Sequence, residues 1–369
     1  MRLGEYEIGL PLKRLPLPLL VAAAGLVIFG TIYVTSAAGP GRTGLAAKQL
    51  LWAGVGAAVF LLVLLFDFRI YVRGAYFAYA AALLALVAVL ATSPIKGAHS
   101  WFDLGFMKLQ PSEFAKLALV LALARFLAGC PQPLRLRDLA GAMGLVALPL
   151  GLILKQPDLG TVIAFMPLSS MAVYAAGVRT WHLVTLGAGG LGGVFFLWQF
   201  VMNANQKGRV YAWLDPEPFK LEQAYQLNQS LVAVGSGGAF GKGLGCGTQN
   251  QFDLLPLKES DFIYSVIAEE GGFVAAVGVL VLFAFLVFMG VAVSIRACDR
   301  EGQIAAATAT AALGGQALTN IAVTIGLLPT TGITLPFVSY GGSSMVTSFA
   351  AVGLLANIAA RPRPPGLFG

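Results

Sequence analysis

Of 369 residues, 57% are hydrophobic and only 11% are charged, which excludes an ordinary soluble domain, where about a quarter would be charged. The mean hydropathy of +0.79 places the chain among integral membrane proteins. The net charge of +7 is then the scatter of basic residues in loops that membrane topology demands, and argues against nucleic-acid binding. Three scattered cysteines (Cys130, Cys246 and Cys298) and two distant histidines suggest neither a disulfide framework nor a zinc site.

Met1 to Pro16 is charged and proline-punctuated, so no cleavable signal peptide is expected. Ten apolar runs follow, at 17–37, 49–66, 71–92, 111–129, 138–154, 160–177, 181–202, 262–294, 303–328 and 338–360. The expected fold is an all-α polytopic membrane protein, one membrane domain over 1–369, with a single long loop at 203–261. With the N-terminus inside, thirteen basic residues fall in inner segments and five (Arg42, Lys48, Lys96, Lys108, Lys155) in the short outer loops. That bias predicts both termini in the cytoplasm and the long loop outside. Nucleotide donors are cytoplasmic, so chemistry on the outer face needs a substrate already across the membrane or anchored in its outer leaflet.

In chain order, the first motif to weigh is Ser93-Pro94-Ile95-Lys96, a formal SxxK match. It sits in a short loop with no SDN or KTG elsewhere, and is set aside. Next comes WFDLGFMKLQPSEFAKL, Trp101 to Leu117. Pro111 suits a first helical position and Glu113 the first turn, while Lys116 points into the span. A lysine toward the middle of a span costs about 2.5–3.5 kcal/mol on insertion scales and so marks a partner or a pathway. Glu113, three residues earlier, lies on the same face. A snorkelling lysine, a structural ion pair and a direct substrate contact all remain open.

KQPDLGT, Lys155 to Thr161, is a sharp turn in which Asp158 and Thr161 can cap the following helix. The long loop contains KGRVYAWLDPEP and VGSGGAFGKGLGCGTQ. The latter fails as an ATP phosphate loop, since Ser236 stands at the first glycine position and no Ser or Thr follows Lys242. Its backbone, with Arg209, Lys242 and Lys258, can still receive an external pyrophosphate, or it is a solvated loop.

The stretch KESDFIYSVIAEEGG, Lys258 to Gly272, then sets four carboxylates at the mouth of a span. Ser260 reads as an N-cap and Asp261 as a first-turn acid favoured by the helix dipole. The run from Asp261 to Ser294 amounts to roughly 50 Å of helix against a ~30 Å hydrocarbon core, so its first turns project outward or line a cavity. Glu269 and Glu270 are expected near the outer interface, able to meet a lipid headgroup, with Gly271-Gly272 bending the helix. Finally GLLPTTGITLPFVSYGGSS, Gly326 to Ser344, is non-helical and expected to line a cavity.

Taken together, WFDLGFMKLQPSEFAKL, KQPDLGT, YQLNQSLVAVGSGGAFGKG, GTQ, SDFIYSVIAEE and LPFVSYGGSS resemble the SEDS family of RodA, FtsW and SpoVE, over essentially the whole chain and closest to RodA. Two departures stand out: Ser100 occupies a position usually held by Arg, and LPLKESDF replaces LPExHTDF, moving the preceding acid to Glu259. The resemblance implies a peptidoglycan glycosyltransferase of the bacterial cytoplasmic membrane that polymerises lipid II in cell elongation and shape. It further implies a class B penicillin-binding protein as partner within a cell-elongation complex. Asp261 matches the family's essential aspartate, and Lys116 with Glu113 its intramembrane polar pair.

On that footing Asp261 is the expected base. Asp158, Trp101 and Ser260 are expected around the substrate, and Arg209, Lys242 and Lys258 on the pyrophosphate. A divalent cation (Mg or Mn) held by Asp261 is the alternative role. A lipid II flippase and a non-catalytic scaffold are the rival functions.

Overall fold

In hydrocarbon a backbone must satisfy its own hydrogen bonds, so each apolar run has to become a helix. A computed structural model of the chain describes every residue except 1, 4, 5, 8, 10–13, 40–43, 94–98, 104, 106, 107, 220–223 and 362–369. Pro94 to Lys96 of the SxxK match, and Lys13, Arg42 and Arg363 of the charge count, thus lie outside the described residues.

The helices are α1 Leu17–Ala38, α2 Gly44–Leu65, α3 Phe68–Arg73, α4 Ala75–Val89, α5 Pro111–Ala128, α6 Leu136–Lys155 and α7 Leu159–Ala175. They continue with α8 Thr180–Phe196, α9 Ala204–Leu214, α10 Tyr225–Ser236, α11 Thr248–Gln251, α12 Ile263–Arg296, α13 Arg300–Thr324 and α14 Gly342–Ala360. The ten expected spans are met by α1, α2, α3 with α4, α5 to α8, and α12 to α14.

Six of these segments (α1, α2, α6, α8 extended to Val201, α12 and α14) are long and apolar enough to cross a membrane by themselves, with α4 and α7 as shorter apolar helices. Helices α5 and α13 are long and mostly apolar but interrupted by polar side chains. They carry buried Glu113, Lys116, Gln316 and Asn320. Protein shields them from lipid, because α13 packs against α12, α7 and α5.

At one end of the bundle, buried polar groups pin the helices together. Arg300 donates to the carbonyls of Ala128, Cys130 and Ala176, and Arg69 pairs with Asp67 at 3.2 Å and Asp299 at 2.6 Å. Asn357 accepts from the Phe68 amide and donates to the carbonyls of Val63 and Phe66.

The other end carries the described residues of the KQPDLGT, SDFIYSVIAEE and LPFVSYGGSS motifs, and there the described part of the 203–261 loop is folded rather than loose. Helix α12 kinks at Gly272, with φ 69° and ψ −167°, as the Gly271-Gly272 pair suggests. The kink frees two carbonyls and two amides that a straight helix would pair. The glycine-rich segment repairs all four. Lys242 N donates to Glu269 O and Gly243 N to Glu270 O, both at 3.0 Å. In return Phe273 N donates to Gly238 O at 2.9 Å and Val274 N to Ala239 O at 3.1 Å.

The glycines are what permit this approach. A Cβ on Gly237 would strike the Ala268 carbonyl, and one on Gly241 the Glu270 carbonyl. VGSGGAFGKGLGCGTQ is therefore a clasp on a broken helix, with Phe240 and Leu244 exposed, and the amides of Lys242 and Gly243 are already spent.

Candidate active site

The WFDLGFMKLQPSEFAKL motif pairs Phe102–Asp103 with Lys108–Leu109 as two short antiparallel strands before Pro111 opens α5. The Gln110 amide donates to Ser343 Oγ at 3.0 Å, which ties the strand pair to the start of α14. Trp101, half-buried ahead of the strand pair, accepts from Thr92 Oγ1 through its carbonyl at 3.3 Å. None of its described bonds leads to Asp261.

Lys116 and Glu113 form the expected pair, Nζ to Oε1 at 2.8 Å, with Lys116 only 6% exposed. That burial removes the snorkelling reading. Lys116 also donates to Gln316 Oε1, and Thr347 Oγ1 donates to Glu113 Oε2 at 3.0 Å. Gln316 passes the connection on, since its Nε2 donates to the Thr334 carbonyl at 3.0 Å.

Asp158 is the N-cap of α7. Its carboxylate accepts from the Thr161 amide at 3.0 Å, from Thr161 Oγ1 at 2.7 Å and from Gln110 Nε2 at 3.3 Å. Burial pushes this carboxyl above the usual carboxylate range, opposed by the two Thr161 bonds. A raised folded-state value means that the protein binds this proton more tightly folded than unfolded. The resulting stabilisation is present at acid pH and is lost as pH rises through the folded value. Asp158→Asn keeps the cap acceptor and is expected to flatten the acid-to-neutral slope of the melting temperature in detergent. Asp158→Ala removes the same titration and is expected to cost about 1 kcal/mol in addition through loss of the cap.

Around Asp261 the structure corrects one expectation. Helix α12 begins at Ile263 with Phe262 as N-cap, so Ser260 is not the cap and Asp261 is not a first-turn acid. The amides of Ser260 and Asp261 both donate to the Leu257 carbonyl at 3.1 Å, closing a turn on a residue with φ 57°. Bonds from the last loop and from α13 hold that turn out of helical register. The Tyr340 amide donates to Glu259 O at 2.8 Å, Ser339 Oγ donates to Ser260 O, and Asn320 Nδ2 donates to Asp261 O at 2.8 Å.

The residue is half-buried, and its carboxylate faces Gly332, where a Cβ would stand 3.7 Å from Oδ2. Gly332 has φ 74°, a left-handed conformation that suits glycine. The preceding residue, Thr331, presents its carbonyl to Gly160 of the KQPDLGT turn, so closely that any Cβ there would collide with it. The Asp158 turn, the Thr331–Gly332 loop and Asp261 are therefore neighbours.

Glu269 and Glu270 need a second correction. Both are buried, at 0% and 1% exposed, and neither can reach a lipid headgroup. Glu269 binds Lys242 Nζ at 2.8 Å and accepts from Thr248 Oγ1 and the Gln249 amide, each at 3.0 Å. Glu270 accepts from Ser36 Oγ at 2.5 Å and from Asn250 Nδ2 at 2.7 Å. They fasten the clasp and α1 to the kinked helix.

The candidate phosphate cations are similarly engaged. Lys242 is the Glu269 partner, while Lys258 is buried, donating to the Asn250 carbonyl and pairing with Asp253 at 2.9 Å. Arg209 alone of the three is exposed, on α9.

Sequence reasoning missed Gln316 and Asn320. Two amides four residues apart in an apolar span share a face, and that was the available signal. Among the described residues no group of three His, Cys, Asp or Glu side chains gathers. The donor set thus fits only an ion that draws most of its ligands from a substrate pyrophosphate, as magnesium does.

The profile of the family described as Cell cycle protein, FtsW/RodA/SpoVE, matches residues 15–363. The chain is 35% identical over 345 residues to the peptidoglycan glycosyltransferase MrdB of Escherichia coli K12, covering 93% of this chain and 92% of that one. Identity to stage V sporulation protein E of Bacillus subtilis is 36% over 324 residues, covering 85% and 86% respectively.

Among solved structures, a chain from a peptidoglycan synthase complex that coordinates polymerization and crosslinking superposes with a TM-score of 0.80 at 33% identity, covering 94% of this chain and 97% of that one. The rod shape determining protein RodA of Thermus thermophilus superposes at 0.71 with 31% identity, covering 94% and 96%. These relatives share its sequence pattern and its all-α multi-pass membrane fold over most of its length, and the chain belongs to the FtsW/RodA/SpoVE family.

Proposed function

We propose that this chain is a peptidoglycan glycosyltransferase that polymerises lipid II on the outer face of the cytoplasmic membrane, with both termini in the cytoplasm. The observation that carries the reading is the meeting of the KQPDLGT turn, the Thr331–Gly332 loop and the half-buried Asp261 carboxylate at one end of the bundle.

In the reaction, the sugar 4-hydroxyl of one lipid-linked chain attacks the anomeric carbon of another. The new C–O bond forms as the anomeric carbon–phosphate oxygen bond breaks, and the leaving pyrophosphate takes that electron pair. Asp261 accepts the hydroxyl proton. A single displacement inverts an α donor to a β-1,4 product. No carboxylic acid is needed at the leaving group, since pyrophosphate departs without a proton. In the alternative role, Asp261 would hold a magnesium or manganese ion, which would neutralise charge developing on the leaving pyrophosphate.

Arg209, exposed at the same end, is the best-placed of the three cations to meet that pyrophosphate, because Lys242 and Lys258 are held in ion pairs. The chain has no transpeptidase signature, so crosslinking falls to a class B penicillin-binding protein in a cell-elongation complex. Purified protein in detergent, given lipid II, is expected to yield glycan chains. Flipping has no meaning without a bilayer, so absence of polymer there would favour a transporter or a scaffold.

A further inference from the structure

We infer that Asn320, seconded by Gln316, is a positioning residue that sets where the Asp261 carboxylate stands relative to the Thr331–Thr334 loop; the inference rests on Asp261 being the base. One amide does two jobs. Asn320 Nδ2 donates to the Asp261 carbonyl at 2.8 Å and to the Ile333 carbonyl at 2.6 Å. Ile333 follows Gly332, the residue the Asp261 carboxylate faces. A single side chain therefore bolts together both walls of the proposed reaction centre.

The orientation of the amide is dictated by its neighbours. Turning it over would set its oxygen against two carbonyl oxygens, and in the observed orientation that oxygen is buried without a partner. One turn earlier on α13, Gln316 Nε2 repeats the device on Thr334, at 3.0 Å to the carbonyl and 3.3 Å to Oγ1. Two amides at i and i+4 thus form a short rail along α13, with the Lys116–Glu113 pair at its lower end.

The fold supplies its own control. Asn357 is an equally buried amide that clamps the carbonyls of Val63 and Phe66 at the opposite end of the bundle. Asn320→Leu and Asn357→Leu remove the same kind of bond, one beside Asp261 and one remote from it.

Lipid II polymerisation would be measured with purified protein in detergent, per folded molecule, together with melting temperature. Displacement of a catalytic group by about 1 Å costs up to roughly 10²-fold, so kcat of Asn320→Leu is expected to fall by about 10–100-fold with KM for lipid II little changed. Asn357→Leu is expected to lower the melting temperature and leave turnover per folded molecule at the wild-type value. Where either Leu variant does not fold, the Ser variant at that position, which keeps one donor, is judged by the same criterion.

Wild-type kcat in folded Asn320→Leu or Asn320→Ser overturns the inference. So does an equal fall in the matching Asn357 variant. Asp261→Asn run alongside separates the two levels. If it is inactive while the Asn320 variant turns over normally, only the positioning role is lost. If it polymerises normally, the base assignment fails and the inference with it.

Discussion

Asp261→Asn is expected to slow glycan polymerisation by about 10²–10⁴-fold without unfolding the protein, the range that a positioned general base contributes. Asn is isosteric with Asp and keeps an acceptor oxygen, so the turn that carries residue 261 should survive. The backbone of that turn is held independently of the side chain, by Leu257 O on one side and Asn320 Nδ2 on the other. What the amide cannot do is take a proton from an attacking hydroxyl. The measurement is polymer length and yield from lipid II in detergent, beside a melting curve. Near-normal polymer from a stably folded Asp261→Asn would remove Asp261 from the chemistry.

Much of this arrangement was legible in the sequence, and the parts that were not share a physical reason. Spans are written in composition over some twenty residues, so the ten helical segments could be placed from apolar runs alone. The Lys116–Glu113 pair follows from a three-residue spacing, and the bend in α12 from two adjacent glycines. These are local signals.

Glu269 and Glu270 could not be read correctly, because their partners lie at Lys242, Thr248, Asn250 and, across more than two hundred residues, Ser36. The clasp was equally hidden. A glycine-rich run looks alike whether its amides face a phosphate or the broken hydrogen bonds of another helix. The N-cap of α12 shifted from Ser260 to Phe262 for the same kind of reason, since Ser339, Tyr340 and Asn320 claim the backbone that a local cap would have organised. The candidate base was visible in sequence; the scaffold that aims it was not.

Lys116→Met is expected to destabilise the protein by about 3–5 kcal/mol, because it removes one partner of a buried ion pair and strands the other. Glu113, 7% exposed, would keep only Thr347 Oγ1 as a described donor, and Gln316 Oε1 would lose its ammonium. The double variant Lys116→Met/Glu113→Gln takes the stranded charge away. A neutral Gln can still bond Thr347, so denaturant or thermal unfolding in detergent is expected to recover most of the loss.

Activity in that same double variant then decides what the pair is for. If Lys116 and Glu113 serve only to join α5 to α13 and α14 without leaving a charge buried alone, restored stability should bring polymerisation back with it. A double variant that is stable yet still inactive would mean that the ammonium itself is required, either against substrate, the third reading the sequence left open, or to orient Gln316. The two outcomes differ because a structural pair is replaceable by any arrangement that leaves no charge buried alone, whereas a lysine that contacts a pyrophosphate or a sugar has no neutral substitute.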